Sequence, residues 1–240
     1  MSREFTKYRQ RGAYHWREAS ARPFQGWPYT RSRVDWVVRQ CRSSAMVLEV
    51  GCGDAVILGR LARAGKRVTG VDADDTALAL ARQMFARHGF SGEFYADLSA
   101  VKETRFDTVI LAEVIEHLDD AESLIKHLAE FLPPEGRLIL TTPIRLLEQS
   151  LDTHHVHEFW PGELRALLSR YFEQVELDRM HPVWLVDLMC FGVKGVRPVA
   201  VLANLLKACT GIELIDMLGS PLTLYWTQTA VATNPRSRAR

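Results

Sequence analysis

The chain has 240 residues, 47% hydrophobic and 25% charged, a balance that excludes disordered and fibrous polymers and suits one large core or two small ones. Its 30 basic and 29 acidic side chains leave a formal charge of +1, so no overall field advertises a nucleic-acid partner, although a local basic patch is compatible with that balance. Four cysteines, Cys41, Cys52, Cys190 and Cys209, are too dispersed for a metal knuckle and too few for a disulfide framework, which makes a reducing cytoplasm the expected compartment.

The chain starts MSREFTKYRQRG, charged and without an apolar stretch, so a secretory signal is not expected. Residues 1–45 read as a cap segment, with Tyr8, Tyr14, Trp16, Phe24, Trp27 and Tyr29 among basic residues before the pattern turns helical at about Arg31. Met46 to Val50 is the first buried strand. Leu58, Leu61 and Ala62 keep helical spacing until Gly65, and Arg67 to Val71 supplies a second strand, completing a β-α-β unit. A helix over Asp75 to His88 follows, then strands over Gly92 to Ala96 and Asp107 to Ala112, a helix over Ala121 to Leu132 stopped by Pro133 and Pro134, and a fifth strand over Arg137 to Thr142.

Pro161 opens a helix to about Tyr171, Phe172 to Asp178 alternates as a strand, and Leu222 to Thr233 is the last strand, rich in β-branched and aromatic residues. Residues 181–221 lie between these two strands, too many for a turn, and read as an insertion within a domain spanning 46–240. Within it a helix over Pro198 to Cys209 places Val199, Leu202, Leu205, Leu206 and Cys209 along one side. The uncharged run Met217 to Pro235 contains Gly219, Pro221 and four threonines, which argues against a membrane-spanning helix; the basic end PRSRAR reads as a frayed tail. Strands alternating with helices predict a doubly wound, mostly parallel α/β sheet.

The strongest local signal is Glu49-Val50-Gly51-Cys52-Gly53-Asp54-Ala55, where the first strand turns into the first helix. Two glycines one residue apart let the backbone turn tightly and leave room for a ligand. Val56 stands where a dinucleotide fingerprint needs a small residue, and no lysine follows to hold phosphate, so both of those ligands are disfavoured. Glu49 beside the loop suits a ligand carrying positive charge. Asp72 lies 19 residues after Gly53, at the end of the second strand, where a carboxylate accepts both hydroxyls of a ribose, and Asp97 follows the third strand in the same way. As plain structural residues, these two acids would cap helices.

On these residues the sequence resembles class I S-adenosylmethionine (SAM)-dependent methyltransferases over about residues 45–180 plus the final strand. The resemblance implies a seven-stranded sheet with an antiparallel seventh strand and SAM as cofactor. It also implies cofactor contacts from Glu49, Gly51, Gly53, Asp72 and Asp97. Ala55 departs from the glycine many members carry at that place.

A second constellation is Glu113-Val114-Ile115-Glu116-His117 after the fourth strand. In a helical segment positions 113, 116 and 117 share one face, which gives two carboxylates and an imidazole for acid–base work or for a divalent cation. With the later His157-Glu158-Phe159, this segment is similar to ubiquinone-pathway O-methyltransferases and to small-RNA 2′-O-methyltransferases. The second likeness implies Glu113, Glu116, His117 and His157 as metal ligands. In metal-free relatives the glutamate Glu113 lines the cofactor pocket, His117 faces the acceptor as base and Glu116 assists it.

The expected activity is methyl transfer from SAM to oxygen of a small-molecule or glycan hydroxyl or a quinone-type phenol. The near-neutral charge argues against RNA ribose as acceptor. A SAM-fold scaffold without turnover is the non-enzymatic alternative. The aromatic cap is expected to pack on the cleft, and the apolar insertion to serve as lid, dimer contact or membrane-facing surface.

Overall fold

The computed structural model describes residues 7–102, 105–148, 150, 152–190, 197–217 and 223–236. Seven strands, β1 (Met46–Val50), β2 (Arg67–Val71), β3 (Glu93–Tyr95), β4 (Thr108–Ala112), β5 (Arg137–Pro143), β6 (Phe172–Pro182) and β7 (Tyr225–Pro235), form one sheet in the order β3-β2-β1-β4-β5-β7-β6. The first five pair in parallel, while β7 runs antiparallel between β5 and β6.

Because side chains alternate across a strand, the apolar runs serve both faces of the sheet. Leu48, Val109, Leu111, Leu138 and Leu140 pack with Ile125, Leu128, Leu164 and Leu168 from α6 (Ala121–Ala129) and α7 (Pro161–Ser169). Val47, Ile110 and Ile139 point the other way, onto Val34, Val37, Leu58, Leu61, Leu78 and Ala81 from α3 (Pro28–Gln40), α4 (Val56–Arg63) and α5 (Asp75–His88). Each such side chain, once fully buried, contributes about 1.5–3 kcal/mol. Because β1 to β5 run in parallel, their C-terminal ends open on one shared edge.

Local chemistry sets the helix ends. The Asp74 carboxylate accepts the backbone N–H groups of Thr76 and Ala77 to start α5, and Gly89, at φ +66°, closes it. Asp120 starts α6 by accepting the Ser123 N–H at 2.9 Å. Before α3 the cap adds two short helices, α1 (Lys7–Arg11) and α2 (Tyr14–Glu18), and α3 itself begins at Pro28 rather than near Arg31, as proline at a first turn allows.

Several boundaries move for tertiary reasons. The third strand is only Glu93–Tyr95, and α6 stops at Ala129, short of Leu132. Strand β6 continues to Pro182, because β7 offers it a partner as far as the pair Pro182 and Tyr225, so the excursion starts two residues later than the 181–221 reading. The excursion contains α8 (Val183–Cys190), α9 (Pro198–Thr210) and α10 (Leu214–Met217). Gly219, Pro221 and Leu222, and positions 237–240 of the basic tail, lie outside the described residues.

The apolar side expected for α9 is turned outward: Leu202, Leu205 and Cys209 are exposed, and Ala200, Ala203 and Asn204 face inward. Small side chains let this helix approach the cap closely, and the buried Asn204 is used there for hydrogen bonding. No helix among the described residues is long and apolar enough to cross a membrane.

Candidate active site

At the open edge of the sheet, Gly51 (φ +74°) and Gly53 (φ +55°) form the turn from β1 into α4. A Cβ on Gly51 would stand 2.4 Å from a Val114 methyl carbon, and one on Gly53 1.9 Å from the Tyr8 hydroxyl oxygen, so both positions require glycine. Ala55, next in the same turn, also takes a left-handed conformation at φ +59°. The family's usual glycine would sit there without that strain.

Asp72, at the end of β2, locks the turn from the other side. Its two carboxylate oxygens accept the Gly53 and Asp74 N–H groups, each at 2.8 Å, and burial raises its pKa against those hydrogen bonds. Each oxygen keeps a lone pair for a further donor. Glu49 is buried at the end of β1 with Oε2 unpartnered, its carboxyl held well above the usual range by burial and by the nearby Asp54 and Asp72. Asp97 is exposed beyond β3, where it caps a short turn by accepting the Ser99 N–H at 2.7 Å; bonds to Ser99 lower its pKa.

The cap closes over this turn through Asp54, a residue to which the sequence reading gave no role. Buried Asp54 accepts the His15 N–H at 2.9 Å and meets His15 Nδ1 at 3.2 Å, while its own carbonyl accepts the Trp16 indole N–H at 2.7 Å. Tyr8 is thereby held against Gly53 and packed with Tyr14 and Ala77.

The Glu113–His117 segment is not an α-helix. Glu113 adopts φ +59°, and only Ile115–His117 make a single 3-10 turn, so the one-face arrangement read from 3.6-residue spacing does not form. Instead the two glutamates part. Glu113 is ion-paired to Arg33 at 2.9 Å and accepts the Thr141 hydroxyl at 3.0 Å, whereas Glu116 is fully buried. Glu116 Oε2 accepts the Thr142 hydroxyl at 2.9 Å, Oε1 is unpartnered, and burial with the neighbouring Glu113 carboxylate raises its pKa well above the usual range.

His117 is half-buried, with Nε2 4.0 Å from Glu116 Oε1. Its Nδ1 lies 3.1 Å from the His154 carbonyl oxygen, an acceptor only, so Nδ1 carries the proton and donates. Burial lowers the His117 pKa, which keeps the ring neutral with a lone pair on Nε2.

The metal set Glu113, Glu116, His117 and His157 does not assemble, because Glu113 is taken up by Arg33 and His157 lies 3.8 Å from Glu163 with its ring edge-on to Phe159. Among the described residues the groups that converge are Glu116, His117 and His155, whose ligand atoms lie within 4.8 Å of one another. His155 Nδ1 is 2.6 Å from Glu158 Oε1. The loop 152–158 folds back on the Glu116 carbonyl, which accepts the Val156 and His157 N–H groups; this return puts the histidine at 155 inside and the one at 157 outside.

A methyltransferase-domain family model matches residues 30–181. The chain belongs to that family. This methyltransferase domain is 30% identical over 205 residues to a ubiquinone biosynthesis O-methyltransferase of Aromatoleum aromaticum, covering 81% of this chain and 77% of the relative. A relative of the same description from Xanthomonas euvesicatoria pv. vesicatoria is 31% identical over 156 residues, covering 56% of this chain and 64% of that one. The chain thus spans about two-thirds to three-quarters of these curated relatives. In fold it is similar to phosphoethanolamine N-methyltransferase 2 of Haemonchus contortus, solved with phosphomonomethylethanolamine and S-adenosylhomocysteine: TM-score 0.65, 16% identity, 96% of this chain and 58% of that chain.

The methyltransferase fold implies SAM, and the residues present fit it. Three acids, Glu49, Asp54 and Asp72, surround the glycine turn, and the unpartnered Glu49 oxygen is suited to a ligand bearing a sulfonium and an ammonium group. Asp72 is held in position for a diol. Sequence reasoning missed Arg33, Asp54, Thr142 and His155. Asp54 was adjacent to the glycine pair, and His155 stood beside the histidine that was chosen, but only the returning loop distinguishes them.

Proposed function

We propose that this methyltransferase domain transfers the methyl group of SAM to a hydroxyl of a small molecule or glycan. The observation that carries this reading is His117: a neutral imidazole whose tautomer is fixed by the His154 carbonyl, at the end of β4, on the same sheet edge as the glycine turn and Asp72. An amine acceptor can be methylated while unprotonated, but a hydroxyl acceptor must lose its proton as it attacks.

When bound, SAM supplies a methyl carbon activated by its sulfonium. Glu49, Asp72 and the turn at Gly51 and Gly53 would bind and orient it, with Asp97 beyond them at the exposed rim. His117 Nε2 would take the proton of the acceptor hydroxyl during transfer, the role its neutral tautomer suits. Glu116, 4.0 Å away, favours the resulting imidazolium when it ionises. The Arg33–Glu113 pair ties α3 to the end of β4.

A second reading is favoured by the convergence of Glu116, His117 and His155. Both histidines have Nδ1 engaged, by a carbonyl and by a carboxylate respectively, which is how metal-binding histidines are oriented. These three residues would hold a divalent cation, which would supply charge to acidify the acceptor hydroxyl. An RNA ribose is the alternative acceptor for that chemistry, and the chain's formal charge of +1 weighs against it.

The test is incubation of the protein with methyl-labelled SAM and a cell extract, followed by mass spectrometry of the glycan, small-molecule and RNA fractions. Label on an oxygen of the first two supports the proposal. Label only on nitrogen or only in RNA overturns it, and binding of SAM without any transfer favours the scaffold alternative. Chelator sensitivity of the transfer decides between the base alone and the cation.

A further inference from the structure

Between the cap and α9 lies a cleft of about 660 Å³. It is large enough for a disaccharide or a sugar nucleotide, within the ordinary range of small-molecule sites. Four aromatic rings line it: Tyr14, Phe24, Trp27 and Tyr29. Its charged lining is Lys7, Arg11 and Arg197 against the single carboxylate of Glu18, and Glu18 already pairs with Arg11 at 2.5 Å and accepts the Thr30 hydroxyl at 2.9 Å. The lining thus holds three cations and one carboxylate, in a chain that is nearly neutral overall.

Phe24 is 84% exposed, yet the loop that bears it is firmly held from beneath. The Asn204 side-chain amide donates to the carbonyls of Arg22, Pro23 and Gly26 at 3.2, 3.0 and 2.9 Å. Buried Arg31 donates to the Ser20 carbonyl at 3.0 Å and to Asn204 Oδ1 at 2.5 Å, and Glu213 fixes Arg31 in turn. An exposed ring on a loop pinned by buried hydrogen bonds is a preorganised contact surface, since its ordering cost is met before any ligand arrives. Opposite the loop, the Arg197 guanidinium lies 4.8 Å over the Trp27 ring, a cation oriented by an aromatic face.

The cleft borders the cofactor turn and β7. His15 in its wall contacts Asp54 of the cofactor turn, and the Tyr29 hydroxyl meets Thr227 at 3.0 Å. Rings that stack on the apolar face of a pyranose, polar groups at its edge and an excess of cations together specify a ligand class.

We propose that the cleft between the cap loop and α9 binds the acceptor through a pyranose carrying an anionic group, a phosphate or a carboxylate. This rests on the O-methyltransferase reading for its outcome but is tested apart from it. Calorimetry on the full chain uses glucose 1-phosphate, UDP-glucose, glucuronate, glucose and inorganic phosphate as probes. S-adenosylhomocysteine is titrated separately.

At least one anionic sugar is expected to bind 10-fold or more tightly than glucose, with affinity falling as salt is raised. Arg197→Gln and Phe24→Ala should each weaken it about 5- to 50-fold and leave S-adenosylhomocysteine affinity within 2-fold. UDP-glucose above glucose 1-phosphate identifies a nucleotide-linked sugar, and the reverse a free sugar phosphate. Equal binding of glucose, binding of phosphate as tight as the sugar phosphate, or unchanged affinities in both variants overturns the proposal. So does the absence of any sugar binding in a protein that still binds S-adenosylhomocysteine. Loss of S-adenosylhomocysteine binding with sugar binding intact instead refutes the methyltransferase reading and leaves the cleft assignment standing.

Discussion

Replacing Glu213 by leucine probes the clamp that fastens the excursion to the cap. The Arg31 and Glu213 side chains are only 2% and 5% exposed and meet through two parallel bonds, Nε to Oε2 at 2.7 Å and Nη2 to Oε1 at 2.9 Å. At this burial solvent screening is weak, so the figure for removing one partner of a buried pair applies, about 3–5 kcal/mol. Asn204 and the Ser20 carbonyl supply the guanidinium with dipoles but no compensating charge.

For a chain of this length each kcal/mol moves the melting temperature by roughly 2–4 °C, so Glu213→Leu should lower Tm by about 6–20 °C. Arg31→Met leaves the carboxylate buried without its cation and should likewise be destabilised. Joined with Glu213→Leu, Arg31→Met should restore most of the loss, because an apolar pair of similar volume fills the same space. Thermal and urea unfolding followed by circular dichroism measures all of this. A Glu213→Leu shift below about 2 °C, or a double variant no better than Glu213→Leu alone, refutes the account of the clamp as a charge pair.

Asp72→Ala should weaken binding of both SAM and S-adenosylhomocysteine by about 1.5–3 kcal/mol, the size of lost hydrogen bonds to a charged group, and undiminished binding by calorimetry removes Asp72 from the cofactor site. His117→Ala should leave cofactor affinity intact and slow turnover about 10²–10⁴-fold, the range for a lost general base. Since burial lowers the His117 pKa, the wild-type acid limb should fall below the ordinary histidine value of 6.5, and a rate that declines above it instead contradicts the assignment.

Buried His181, bonded to Ser32 and Thr227 at 2.8 Å each, has its pKa driven well below 6.5 by burial and by Arg33. The unfolded chain therefore binds the extra proton first. This contribution to stability is complete above pH 6.5 and declines as pH falls below it, by up to about 1.4 kcal/mol per unit. Chemical unfolding from pH 7.5 to 5 should show this slope, reduced by one proton in His181→Gln.

The strands, the crossover helices and the glycine turn were legible in the sequence because each depends on a local or periodic property. A run such as Val109-Ile110-Leu111 fits only a strand buried on both faces. Gly51 and Gly53 mark a turn whatever surrounds them, and Asp74 caps its helix through neighbours two and three residues away.

The Glu113–His117 segment was legible only as chemistry. Its apolar and charged spacing fits a helix, but Arg33 from the cap and Thr141 and Thr142 from β5 draw the two glutamates to different partners across a left-handed residue. Those partners are 26 to 80 positions away, and no local rule anticipates them. The choice of His155 over His157 has the same origin, in a loop whose backbone N–H groups return to the Glu116 carbonyl.

The outward face of α9 follows from a similar contest. Periodicity places its leucines on the buried side, whereas burying Asn204 against the loop carbonyls and Arg31 satisfies more polar groups than burying Leu202 or Leu205 would. Sequence thus determined which elements exist and which chemistry they carry. Tertiary structure decided which side chains meet, because burial exacts hydrogen-bond and charge partners from segments that the chain's own order leaves far apart.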